Sequence, residues 1–186
     1  MFKKAFFAAL LAAFALTSAA AQGKLFTRDG KVYFNATAPN SPEKIEAAHT
    51  GGTFVIDKAT GRFEMAVLIK GFYFEKALMQ EHFNENYMES DKFPKASFRG
   101  ALTDLSKVNF GADGKYEVTV SGDLTMHGVT KPVSTVVTFT VAGGSVTGAA
   151  NFAVTLADYN IDIPSIVSDK VGKQANISIT VDLKPL

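Results

Sequence analysis

The sequence contains no cysteine, no tryptophan and only three histidines, His49, His82 and His127. Without cysteine there is no disulfide framework, no thiolate metal site, no thiol nucleophile and no lipid anchor on an N-terminal cysteine. Three histidines so far apart give no pair at the i, i+4 spacing of a zinc-binding helix. No Gly-x-Ser-x-Gly elbow is present, so nothing local marks a serine nucleophile. Charge of neither sign dominates, with 19 Lys and Arg against 18 Asp and Glu, and no basic run occurs. That argues against nucleic acid and anionic membrane surfaces as partners.

What is present begins with MFKKAFFAALLAAFALTSAAA, Met1 to Ala21. Lys3 and Lys4 precede an apolar stretch too short for a comfortable membrane span, and Ala19 to Ala21 form a small-residue cleavage site. This reads as a secretory signal peptide over 1–21, cut before Gln22. Cleavage removes two lysines and takes the net charge from +1 to −1. The expectation is one domain over 22–186 in the bacterial periplasm, with no stable membrane span.

Period-2 alternation dominates that domain. Candidate strands are Lys31–Ala38, Thr53–Asp57, Arg62–Lys70, Ser97–Val108, Tyr116–Met126, Val133–Val141, Ser145–Leu156 and Ala175–Leu183. Lys58 to Gly61, Gly111 to Gly114 and Ala142 to Gly144 supply turn residues between them. Short connections make neighbours antiparallel. The fold class expected is all-β, an eight-stranded antiparallel barrel with a short helical insert. The insert is Glu75 to Ser90, where Met79, Phe83 and Tyr87 recur every four residues beside Leu78. Ser41-Pro42-Glu43-Lys44 reads as a helical turn leading to His49, and Ala157 to Lys173 as an irregular loop.

The apolar rows are Val118, Val120, Leu124 and Met126; Val137 and Phe139; and Phe152 and Val154. Gly122, Gly148 and Ala150 lie in line with them. Small residues on an apolar face fit a hollow barrel that holds one ligand. They fit equally a filled core in which glycine makes room for neighbouring aromatics. The pattern leaves both open.

Candidate chemistry is thin. His82-x-x-Glu85 is too unspecific a pair to indicate a metal. Asp158-Tyr-Asn160-Ile-Asp162 starts like a calcium loop, but Ile163 stands where glycine is needed and Asp169 where a bidentate glutamate belongs. No metal and no cofactor is expected. In DLTMHGVTKPV, His127 is either a catalytic imidazole or a turn residue. The turn reading accounts for His127, Gly128, Lys131 and Pro132 together, because His and Gly accept left-handed angles and proline favours extended geometry before it.

LTMHGVTKPV resembles the signature hairpin of the YceI-like family, Leu-Thr-x-x-Gly-Val-Thr-Lys-x-Val. EHFNENYMESDKFPKASFRG is similar to another family segment, as are Phe54 to Gly61, Tyr159 to Pro164 and the closing strand Ile177 to Leu183. KVYFNATAP with SPEKIEAAH departs from the family's usual opening. The resemblance implies a lipocalin-like barrel with a long apolar tunnel that binds a long-chain isoprenoid lipid, such as a quinone or its precursor, without catalysis. On that reading Phe74, Leu78, Met79, Phe83 and Tyr87 form the mouth. Val118, Val120, Leu124, Met126, Val137, Phe139, Phe152 and Val154 form the wall. A lipid-modifying enzyme using His82 or His127 as base, and an envelope stress-response or structural protein without a small ligand, are the alternatives. A homodimer is left open.

Overall fold

The computed structural model describes residues 23–186; the signal-peptide reading falls on 1–21 and lies outside them. Alternation resolves into eight strands: β1 Lys24–Thr37, β2 Glu46–Asp57, β3 Arg62–Leu68, β4 Lys95–Leu102, β5 Gly114–Met126, β6 Val129–Ala142, β7 Ser145–Thr155 and β8 Val171–Pro185. Each pairs antiparallel with the next, and β8 pairs with β1 to close the barrel. Val118, Val120 and Leu124 are buried, as are Met65 and Val67 on β3, so the apolar rows point inward as their pattern requires.

Alternating strand direction sorts the connections onto two ends. One end carries segments 38–45, 69–94, 127–128 and 156–170. The other carries 58–61, 103–113 and 143–144, together with both ends of the described chain. There the Leu186 N–H donates to the Lys24 carbonyl at 3.0 Å, and the Lys58 N–H to the Gly23 carbonyl at 2.8 Å.

Several expectations need correction. Ser41 to Lys44 is not helical. The Ser41 hydroxyl donates to the Glu43 carbonyl at 2.7 Å and accepts from the Glu43 N–H at 3.1 Å, so the side chain takes over groups a helix would have used. His49 therefore lies within β2, whose first half, Glu-Ala-Ala-His-Thr-Gly-Gly, has little strand propensity of its own. The insert over 75–90 is only partly α-helical. One short helix, α1, spans Ala77–His82, and Phe83–Tyr87 continues it as a wider π-turn. The fourth strand ends at Leu102, where the Asp104 carboxylate accepts from the Ser106 N–H at 3.1 Å and opens a 3-10 turn.

Gly122 does not leave interior space. It pairs with Gly100, and a Cβ on it would stand 2.3 Å from the Arg99 carbonyl oxygen and 2.4 Å from the Gly100 Cα. Glycine here permits close approach of β4 and β5. The half of the barrel nearer segments 58–61, 103–113 and 143–144 is packed but for one small void. Phe54, Ile56 and Phe139 are fully buried, and Phe63 stacks between Phe54 at 6.3 Å and Phe98 at 6.0 Å. Phe110, from segment 103–113, packs on Phe139 at 5.4 Å.

His127 and Gly128 form the two-residue turn between β5 and β6, with φ of +52° and +74°. Positive φ at both central residues is what a type I′ hairpin requires. A Cβ on Gly128 would also lie 2.6 Å from the Phe93 ring. Gly128→Val is therefore expected to lower unfolding stability by about 1–3 kcal/mol, read from the denaturant midpoint. An unchanged midpoint would contradict this account of the turn.

Candidate functional site

The half of the barrel beneath the long connections is not filled. A chamber of about 440 Å³ lies there. Its wall comes from the mouth-proximal parts of the strands: Val32 and Phe34 on β1, Met65 and Val67 on β3, Leu124 and Met126 on β5, Phe152 and Val154 on β7, and Ile177 and Ile179 on β8. The insert covers it. Phe83 is the hub of this cover, with ring centroids 4.9 Å from Phe74, 5.6 Å from Phe34 and 5.7 Å from Phe72. Such edge and tilted contacts add to the apolar burial that holds the cover down.

Of the residues expected to bind, Phe74, Leu78, Met79, Phe83, Tyr87, Leu124, Met126, Phe152 and Val154 border the chamber. Val120, Val137 and Phe139 instead border a separate void of about 50 Å³ in the deeper half, with Gly148. Val118 borders neither and lies in the packed core. The tunnel is therefore not open from end to end. Met65, Leu124, Phe152 and Ile179 line both spaces and form the partition between them. Phe34, Phe72, Met65, Val67, Ile69, Ile163, Ile177 and Ile179 border the chamber without having been singled out. The alternation of Arg62–Lys70 and of Ala175–Leu183 already carried Met65, Val67, Ile69, Ile177 and Ile179.

Two sets of polar contacts pin the cover to the rim. On one side, Lys76 Nζ donates to Glu43 Oε1 at 2.6 Å, and Lys170 Nζ lies 3.4 Å from Glu43 Oε2. These lysines hold the Glu43 carboxyl below its ordinary pKa, Lys76 by the larger share. On the other side, His127 Nδ1 faces the Tyr159 carbonyl at 2.9 Å and Nε2 faces Glu89 Oε2 at 3.0 Å. His127 is thus the turn residue expected, and its ring also ties the hairpin to the insert and to segment 156–170. His82 borders the chamber from α1.

His49 supports the chamber from behind. It is 5% exposed and meets the Phe72 ring at 5.3 Å. Its Nδ1 accepts from the Gly51 N–H at 3.0 Å, which requires a lone pair. Burial pushes the imidazole pKa below its usual value, more than a hydrogen bond to the Leu68 backbone raises it. A base whose folded pKa is depressed contributes stability above its unfolded pKa, about 6.5, and loses it as pH falls from there through the folded value. The stability advantage of the native protein over His49→Gln is therefore expected to shrink between about pH 7.5 and pH 5.5, measured by thermal unfolding in matched buffers. A difference independent of pH would contradict it.

Comparison with known proteins is consistent along the chain. A family model described as YceI-like domain matches residues 13–183. A UPF0312 protein of Pseudomonas fluorescens is 34% identical over 92 residues, which is 47% of this chain and 46% of that protein, so the match spans under half of the relative's length. Among solved structures, a polyisoprenoid binding domain from Saccharophagus degradans, implicated in plant cell wall breakdown, superposes with a TM-score of 0.75. It is 12% identical, covering 89% of this chain and 99% of that one. Burkholderia cenocepacia BcnA gives a TM-score of 0.66 at 18% identity, covering 83% and 96%. At these identities the two structures show the same barrel fold.

Proposed function

This chain belongs to the YceI-like family, and on that premise we propose that it binds and carries a single isoprenoid lipid chain in the chamber, in the bacterial periplasm after removal of residues 1–21. The observation that carries the reading is the chamber itself: about 440 Å³ bounded almost wholly by apolar side chains, with charged groups confined to the rim. An apolar chain has no comparable place in water, and each buried methylene contributes about 0.8 kcal/mol. The Saccharophagus degradans neighbour, described as polyisoprenoid binding, lends the chemical class.

The chamber also sets a length. An apolar cavity of about 150 Å³ accommodates a benzene ring, so 440 Å³ holds roughly 18 carbons. That is three to four isoprene units, about 15–20 carbons on the same scale, shorter than the long chain expected from resemblance. The partition of Met65, Leu124, Phe152 and Ile179 is the reason. The chain enters tail first and its head stays at the rim, because no charged side chain borders the deeper space.

A series of prenyl alcohols from two to six isoprene units tests this by displacement of a fluorescent apolar probe. Affinity is expected to rise steeply, near fourfold for each added methylene equivalent, and to level off at about 18 carbons. Phe152→Ala, which opens the partition, is expected to move the plateau to longer chains. Absence of binding by every member would sink the proposal. Fractionation of the native host is expected to place the mature chain, beginning at Gln22, in the periplasm.

A further inference from the structure

The rim of the chamber carries charge that a tail-binding site does not need. Glu43, Lys76 and Lys170 all border the opening, and they come from three different connections: 38–45, the start of the insert, and 156–170. The two ammonium groups share one carboxylate, at 2.6 and 3.4 Å. One positive charge is therefore left over. Each ammonium has three N–H donors, and Glu43 engages one direction on each. Both lysines stay about half exposed or more, with 62% and 48% of their side-chain surface accessible, so a ligand can reach the remaining donors. The other side chains at the chamber are apolar apart from His82 and the Tyr87 hydroxyl.

We propose that the lipid carried here has an anionic oxygen head, a phosphate or carboxylate, held between Lys76 and Lys170 beside Glu43. The head completes a cluster of two cations and two anions at the opening, while the chain fills the chamber. A neutral head would leave the surplus ammonium donors to water. This rests on the chain-binding reading above and narrows it to one class of amphiphile. It also assigns Lys76 and Lys170 as head-group ligands and Glu43 as the carboxylate with which a bound head must share them. Because Lys76 leads into α1 and Lys170 into β8, a bound anion would draw the cover and segment 156–170 together.

A matched pair of probes separates head from tail: farnesyl monophosphate and farnesol share one chain and differ only in the head. At low salt the phosphate is expected to bind about tenfold tighter or more, the scale of charge-assisted hydrogen bonds. That ratio should collapse toward one in the Lys76→Gln, Lys170→Gln protein and shrink with added sodium chloride. In Glu43→Gln, which removes the competing carboxylate, the ratio should grow. Farnesoic acid in place of the phosphate should retain a preference over farnesol. Farnesol binding with no preference for either anionic head would overturn the head-group proposal while leaving the chain-binding reading intact. Failure of all three probes would overturn both. Inorganic phosphate alone is expected not to displace farnesyl monophosphate; displacement at equal concentration would identify a phosphate site independent of the chain and overturn the proposal.

Discussion

Hydrogen bonding between β8 and β1 turns a meander into a ring, and the ring fixes the space inside. A closed eight-stranded sheet has no unpaired edge, and its width is set by strand number and tilt rather than by what fills it. The side chains then decide between solid and hollow, and here they decide differently at the two ends. Phe54, Ile56, Phe98 and Phe139 fill one half with rings and branched chains. In the other half Val, Leu, Ile, Met and Ala, with Phe34 and Phe152, line the wall without filling it, and the long connections bring Phe72, Phe74 and Phe83 over the opening as a roof. The chamber is what remains when a fixed backbone ring is filled from one side only.

The two ends also differ in how the backbone turns. At the filled end, the residues with positive φ are Gly61, Gly143 and Gly144, for which that conformation costs little. At the open end they are Glu89, His127 and Asn160, besides Gly128. A left-handed non-glycine residue costs on the order of 1–3 kcal/mol and persists where its surroundings hold it. Two of these residues hold each other, since the Glu89 carboxylate meets His127 Nε2, and the His127 Nδ1 reaches the carbonyl of Tyr159, the neighbour of Asn160. Strain at the rim and the contacts that secure the roof are thus the same set of residues.

The barrel was legible because burial on one face imposes strict alternation, and Tyr116–Met126 or Arg62–Lys70 can satisfy it only as strands. The His127-Gly128 turn was legible because few residue pairs accept positive φ twice. What escaped had a different physical origin. Ser41-Pro42-Glu43-Lys44 fits a helix start by residue type, but the Ser41 hydroxyl captured the backbone groups of Glu43. The row with Gly122 and Gly148 could not say whether glycine leaves a hole or admits a neighbour; Gly122 admits the backbone of β4, while Gly148 faces Val181 and Phe139 across the small deeper void. The rim cluster joins positions 43, 76 and 170, far apart in the chain and ordinary singly. Only ring closure makes them neighbours.

Both ends of the described chain lie at the filled end, paired through Lys24 with Leu186 and through Gly23 with Lys58. Anything coupled directly at Gly23 or at Leu186, whether a reporter, an affinity tag or a solid support, would hang from the blind side of the barrel. Barrels immobilised through either of these positions would stand with their openings facing outward, as an oriented layer of receptors.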